Sequence, residues 1–305
     1  MGLYINQISV IQSVKLLIAY LFCMIGVAAF AYLLNDYFDK ENDETNNKIN
    51  FFLKTNSNYF LLYIVVSLFI IAIPRLILPW DNLTMLLLFL LLISLIIYSI
   101  PIIRLKTKGI WGVIADSMYA YVISSSLTFY TFAIIMSYDE KSEYFIFGIL
   151  VIWQFLIGIR SIILHQIEDY NNDLMSHNTW VVKVGVTKGE KLIKRILLPS
   201  EITMLIGSLI VISKYFILII PFSILFWIHV FSKNRYIYKE SRIIDYKQFV
   251  YTFLDDYYYQ CFPVLILIFI SIAHPHYTLL LLIHLLIFKN IIFNYLRYFK
   301  ILLLK

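Results

Sequence analysis

Residues 35–43 read NDYFDKEND and follow without interruption on an apolar run over 8–34. A run of that length predicts a helix that crosses a bilayer, since about 20 mostly apolar residues suffice for one crossing. If the helix continues through the polar residues, Asn35, Asp36, Asp39 and Asp43 fall at i, i+1, i+4 and i+8 and gather on one side. Carboxylates so close repel unless a cation sits among them, and an all-oxygen set suits a hard divalent ion such as magnesium. The competing reading is an acidic helix end in water. The choice between them rests on whether the rest of the chain supplies a matching half.

Composition places the whole chain in a membrane. Of 305 residues, 61% are hydrophobic, 17% aromatic and 14% charged, where a soluble domain is about half apolar. Mean hydropathy is +0.81. With 9 Gly and 7 Pro and no low-complexity stretch, the expectation is a single integral membrane domain over 1–305, all-α because helices satisfy their own backbone in lipid. Cys23 and Cys261 lie in apolar stretches and suggest neither a disulfide framework nor a thiolate metal site. The first apolar run, without a basic flank or a small-residue cleavage site, reads as a retained span rather than a signal peptide.

About nine spans are expected, over 8–34, 58–79, 83–101, 110–137, 143–165, 190–212, 215–232, 246–273 and 277–299. Pro79, Asp81 and Asn82 separate the second from the third, and His274, Pro275 and His276 break the last pair. Alternate loops then differ sharply in charge. One set carries Lys40, Lys48 and Lys54, Arg104, Lys106 and Lys108, a cluster from Lys183 to Arg195, another from Lys233 to Lys247, and the C-terminal lysines. The other set holds little beyond Arg75, Lys141 and Lys214. Basic loops stay cytoplasmic, so the N-terminus is expected outside and the C-terminus inside. The net charge of +6 is thus mainly topological; its partners are anionic lipid or phosphate, not nucleic acid.

A second acidic group follows the fifth expected span, with His165, Asp169 and Asp173 at i, i+4 and i+8. By the loop count it lies on the same side as the first. Between the two in sequence comes YSIPIIRLKTKG over 98–109, with Arg104, Lys106 and Lys108. Cations near two acidic faces suggest magnesium on the carboxylates, a polyphosphate across the metals, and Arg or Lys on the remaining oxygens. Tyr98, at the end of its span, is placed either to donate a hydrogen bond to the same group or to anchor the membrane interface.

With those residues in view, the chain resembles the UbiA superfamily of intramembrane prenyltransferases. NDYFDKEND has the superfamily's NDxxDxxxD form, Asp169 and Asp173 are similar to its second DxxxD motif, and YSIPIIRLK at 98–106 is similar to its intervening basic segment. The likeness covers roughly residues 10 to 230. It implies a UbiA-like bundle in which Asn35, Asp36, Asp39 and Asp43 with Asp169 and Asp173 hold magnesium ions that bind the diphosphate of an isoprenoid donor. Asp36, Asp39 and Asp169 would be catalytic in that sense, and Arg104, Lys106 and Lys108 would contact phosphate. The reaction implied is transfer of the isoprenyl group to an aromatic or other lipophilic acceptor, at the cytoplasmic face of the cell's inner or plasma membrane.

The chain also departs from the pattern. Residues 44–58 read ETNNKINFFLKTNSN, without proline, and leave Lys48 and Lys54 as basic contacts. The second motif runs into LMSHNT rather than a Gly-Ile/Val-Lys-Thr turn. Both differences bear on the acceptor. The first motif comes after one span where the superfamily has two. Asp255 and Asp256, in the eighth expected span, either face an acceptor site or lie at the interface under Tyr257–Tyr259. Two other functions fit parts of the pattern. Phosphoribosyl transfer from phosphoribosyl diphosphate to a polyprenyl phosphate would use the same carboxylates, with Arg160, His165 and Gln166 reading the sugar. A transporter would need polar groups near the midplane and a repeat, and no inverted repeat is visible.

Overall fold

The computed structural model describes residues 10–135, 141–174, 178–214, 216–228, 254–255, 257–258 and 262–289. Among them the chain is all-helical, without a strand. Five helices are long and apolar enough to cross a membrane: Ile11–Thr45, Ser57–Leu76, Asn82–Ser99, Phe147–Glu168 and Val186–Ser213. Of the remaining expected spans, 110–137 is a helical run as far as Ile135, where the described residues stop, with a π turn over Met118–Ile123, and the later ones supply the shorter helices Ile219–Ile228, Phe262–Ala273 and Pro275–Ile287. The expected spans 246–273 and 277–299 also extend over residues outside those described. The chain divides into two compact units, Met1–Met204 and Leu205–Lys305.

The first unit carries the site. Its helices are α1 (Val10–Thr45), α2 (Phe51–Lys54), α3 (Phe60–Ala72), α4 (Asn82–Ser99), α5 (Ile110–Ser117), α6 (Ser124–Ile135), α7 (Lys141–Glu168), α8 (Tyr170–Asp173), α9 (Trp180–Val184) and α10 (Val186–Leu192). At 36 residues, α1 is ~54 Å long, against a hydrocarbon core of about 30 Å. It therefore continues well past one crossing, and its last turns carry residues 35–43 as helix.

Leu16, Tyr20, Cys23, Val27, Phe30 and Leu34 recur at helical spacing on one face of α1 and are buried against Ile71, Trp80, Leu88, Leu91, Leu95 and Leu127. The opposite face, with Ile18, Phe22 and Ile25, is exposed and equally apolar, as a lipid-facing surface requires. Polar anchors tie the bundle: Trp80 Nε1 donates to Thr131 Oγ1 at 3.0 Å, and Ser117 Oγ to the Phe155 carbonyl at 2.7 Å. Arg160 of α7 and Glu201 pair at 2.7 Å with both side chains fully buried.

In the second unit, Tyr257 is fully buried, with its hydroxyl 2.7 Å from Ser223 Oγ. Phe262–Ala273 ends at the expected His274-Pro275 break, where a short 3₁₀ turn over Pro275–Tyr277 leads into Thr278–Ile287.

Candidate functional site

The chain order places the C-terminal ends of α1, α4 and α7 around one cavity of about 840 Å³. Its lining includes Asn35, Asp36, Asp39 and Asp43 from α1, Lys48 from the following loop, Tyr98 from α4, Lys106 from the basic segment, and Asp169 and Asp173 from the second motif. The two acidic groups, 126 residues apart from Asp43 to Asp169 and 138 from Asn35 to Asp173, thus share one chamber with the segment between them.

On α1 each carboxylate is held differently. Asp39 is buried and accepts from Arg104 Nη2 at 2.7 Å and from Lys106 Nζ. Lys106 also donates to Asn35 Oδ1 at 2.9 Å, so one ammonium bridges two residues of the motif. Asp36 Oδ2 accepts from the Phe51 backbone N–H at 2.9 Å, and Asp43 Oδ2 from Asn50 Nδ2 at 2.8 Å. Asn50 is 1% exposed and makes two further bonds: Nδ2 donates to the Asp36 carbonyl and Oδ1 caps α2 through Phe52 N–H. Behind this face Tyr37 stacks on Phe60 at a 3.8 Å ring-centroid separation, which fixes the rotation of α1 where the motif emerges.

The basic segment is shaped to deliver its side chains. Arg104 takes a left-handed backbone (φ 45°), a conformation costly for a side chain with a Cβ, as the chain turns from α4 into a 3₁₀ turn over Leu105–Thr107. That turn lies directly on α5 at Gly112, where an added Cβ would stand 2.7 Å from the Leu105 carbonyl oxygen and 2.9 Å from that of Lys106. Burial draws the Lys106 ammonium below the ordinary lysine range, and the adjacent Asp39 carboxylate opposes the shift. Arg104 Nε is buried without a hydrogen-bond partner. Lys108 is exposed and does not line the cavity.

The second motif is not one straight helix. α7 ends at Glu168, Asp169 has φ −85° and ψ 3°, and α8 covers the next four residues. The i→i+4 backbone bonds nevertheless persist, from Asp169 N to His165 O at 3.0 Å and from Asp173 N to Asp169 O at 2.9 Å, so the expected spacing survives the bend. Asp169 pairs with Lys48 at 3.2 Å and lies 3.8 Å from His165 Nε2. Asp173 is buried. Gln166 Oε1 accepts from Val181 N–H, and a single parallel bridge joins Thr179 to Gly109. Those two ties bind the stretch after the second motif to α7 and to the basic segment.

The lining also holds Asp116 and Tyr119, which the sequence motifs alone do not mark, and Thr179, the last residue of LMSHNT. Asp116 sits inside an expected span, and a carboxylate there is itself a pointer to a polar interior. Arg160 does not line the cavity; its guanidinium is committed to Glu201. Asp255 is half-buried in the second unit, and Asp256 lies outside the described residues.

Six aspartates and two lysines line the chamber. The C-terminal ends of three helices add their partial negative charge. An anion enters such a chamber only with cations interposed. The donors are oxygens throughout, which fits magnesium, although among the described residues no three of His, Cys, Asp or Glu converge to hold a metal ion by themselves. Magnesium commonly takes one or two carboxylates and completes its shell with water and phosphate oxygens. Comparison with protein-family models, with curated proteins and with solved structures finds no match to this chain.

Proposed function

We propose that the chain is a membrane-embedded, magnesium-dependent prenyltransferase of the UbiA type, which moves an isoprenyl group from its diphosphate to a lipophilic acceptor and releases diphosphate. The observation that carries the reading is the shared cavity: the NDxxDxxxD residues, the second pair of aspartates and Lys106 of the intervening basic segment line one chamber next to apolar helices. The basic loops flanking it argue for the cytoplasmic face of the inner or plasma membrane.

Asn35, Asp36, Asp39 and Asp43 on one wall and Asp169 and Asp173 on the other would hold magnesium. The metal would supply positive charge to the diphosphate oxygens as the allylic C–O bond breaks. The chain's own residues do the rest. Lys106 and Arg104, now on Asp39, are positioned to turn toward a diphosphate and stabilise the charge it gains as a leaving group. Lys48, on Asp169, is placed to do the same from the opposite wall. Apolar side chains such as Ala31 and Ile162 continue the lining away from the aspartates and offer a dry path for the isoprenoid.

Farnesyl diphosphate with magnesium and phosphoribosyl diphosphate with a polyprenyl phosphate are the two donor systems to compare on the purified chain. Magnesium-dependent diphosphate release from the first is expected. Release from the second alone would replace the reading with phosphoribosyl transfer.

A further inference from the structure

Away from the two aspartate motifs, the same cavity contains a second polar group. Asp116 of α5 accepts from the Tyr119 hydroxyl at 2.5 Å. The rings of Tyr119 and Tyr98 meet edge to face with centroids 5.1 Å apart. The Tyr98 hydroxyl also hydrogen-bonds with Asp116 and Tyr119. His165 is a further neighbour of Asp116. All four side chains line the chamber. Among the described residues no lysine or arginine forms an ion pair with Asp116, in contrast to Asp39 and Asp169, each of which meets a lysine.

An independent observation points to a ligand in the same chamber. Thr179 also lines the cavity and is 6% exposed, yet its Oγ1 is buried without a hydrogen-bond partner. A buried hydroxyl left unsatisfied costs about 1–3 kcal/mol, and its backbone is fixed by the bridge to Gly109, so it cannot swing out to water. A substrate hydroxyl satisfies such a group, being donor and acceptor at once.

We infer that Asp116, held by Tyr119 and Tyr98, is the proton acceptor for an acceptor substrate that presents a hydroxyl, with Thr179 as a further hydrogen-bond partner for that substrate. The inference rests on the prenyl-transfer reading and names the acceptor's chemical class. In the step, a lone pair of the acceptor oxygen forms a bond to C1 of the isoprenyl group. The C1–O bond to diphosphate breaks, its electron pair leaves on the diphosphate oxygen, and the hydroxyl proton passes to the Asp116 carboxylate. The product is a prenyl ether. Removing the proton as the C–O bond forms keeps positive charge off the acceptor oxygen, the contribution expected of a positioned base.

The test uses the full chain in nanodiscs with magnesium and farnesyl diphosphate, with 4-propylphenol and octan-1-ol as hydroxyl probes and their methyl ethers as matched compounds lacking the proton. Product is read by mass, and donor affinity is read separately with farnesyl thiolodiphosphate. At least one hydroxyl probe is expected to give its farnesyl ether and neither methyl ether any product; which probe reacts tells an aromatic from an aliphatic acceptor. Asp116→Asn should cut ether formation by about 100-fold while donor affinity stays within about twofold. Tyr119→Phe, which keeps the ring, should cut it by about tenfold with donor affinity likewise retained. Donor binding without an ether from either probe would overturn the inference, as would an Asp116→Asn variant that keeps the wild-type rate or one that loses donor affinity. A wild-type chain that does not bind the thiolodiphosphate at all would overturn the prenyl-transfer reading itself, which tells the two failures apart.

Discussion

Asp39 and Lys106 show how much of the site depends on single residues. Lys106 bridges Asn35 and Asp39 while buried, so its loss leaves Asp39 with Arg104 alone on the α1 wall. Lys106→Met is expected to lower diphosphate release by about 100-fold, mostly in kcat, because its charge matters most as the leaving group forms. Steady-state kinetics with farnesyl diphosphate separate that outcome from a simple rise in KM. The spacing of the four polar residues on α1, and of Asp169 and Asp173, was legible because helical periodicity maps spacing onto a face. Asn50 was not legible. Its three bonds join Asp43, Asp36 and α2 only after the chain turns back, and one of the three asparagines in ETNNKIN carries no local sign of that. Asp116 carries a sign, a carboxylate within an apolar stretch, as do Asp255 and Asp256.

Elements decide whether those residues arrive together. Gly112 gives the turn over Leu105–Thr107 its seat on α5, and the atoms in the way of a Cβ are backbone carbonyls that cannot swing aside. Gly112→Ala is therefore expected to displace the turn, cost about 1–3 kcal/mol, and weaken donor binding although no ligand-facing side chain changes. Thermal unfolding in detergent and thiolodiphosphate binding check the two halves. At the other end of α4, Asp81 caps the helix by accepting from Thr84 N–H at 2.9 Å. That bond holds the Asp81 carboxyl below its ordinary range. A depressed folded value means that the stabilisation is complete above the unfolded value, about 3.9, and is lost as pH falls through the lower folded one. Asp81→Ala should cost about 1 kcal/mol near neutrality, and the gap between the two unfolding midpoints should narrow as the buffer is taken from pH 5 toward pH 2.5. The helix end at Glu168 could not be read from periodicity, which registers the face and not a local bend at Asp169. The expected spans 215–232 and 246–273 hold the described helices Ile219–Ile228 and Phe262–Ala273, and both also run over residues outside those described.

At the scale of the molecule, an all-helical membrane chain was legible from composition alone, because lipid leaves the backbone few alternatives. The shared cavity was foreshadowed by loop parity, whereas its interior was not, since side chains from α1, α4, α5 and α7 meet there only through packing. Arg160 and Glu201 are part of that packing. Arg160→Met alone should destabilise the protein by about 3–5 kcal/mol by leaving a buried carboxylate short of its partner, and adding Glu201→Leu should recover most of the loss in the unfolding midpoint. The decisive question is whether the two aspartate motifs act as one diphosphate clamp. Diphosphate release from farnesyl diphosphate by the purified chain, with and without magnesium, in wild type, Asp36→Ala and Asp169→Ala, answers it. Release that requires magnesium and falls by about 100-fold or more in both variants is the expected result. Release that continues unchanged in both variants would contradict it.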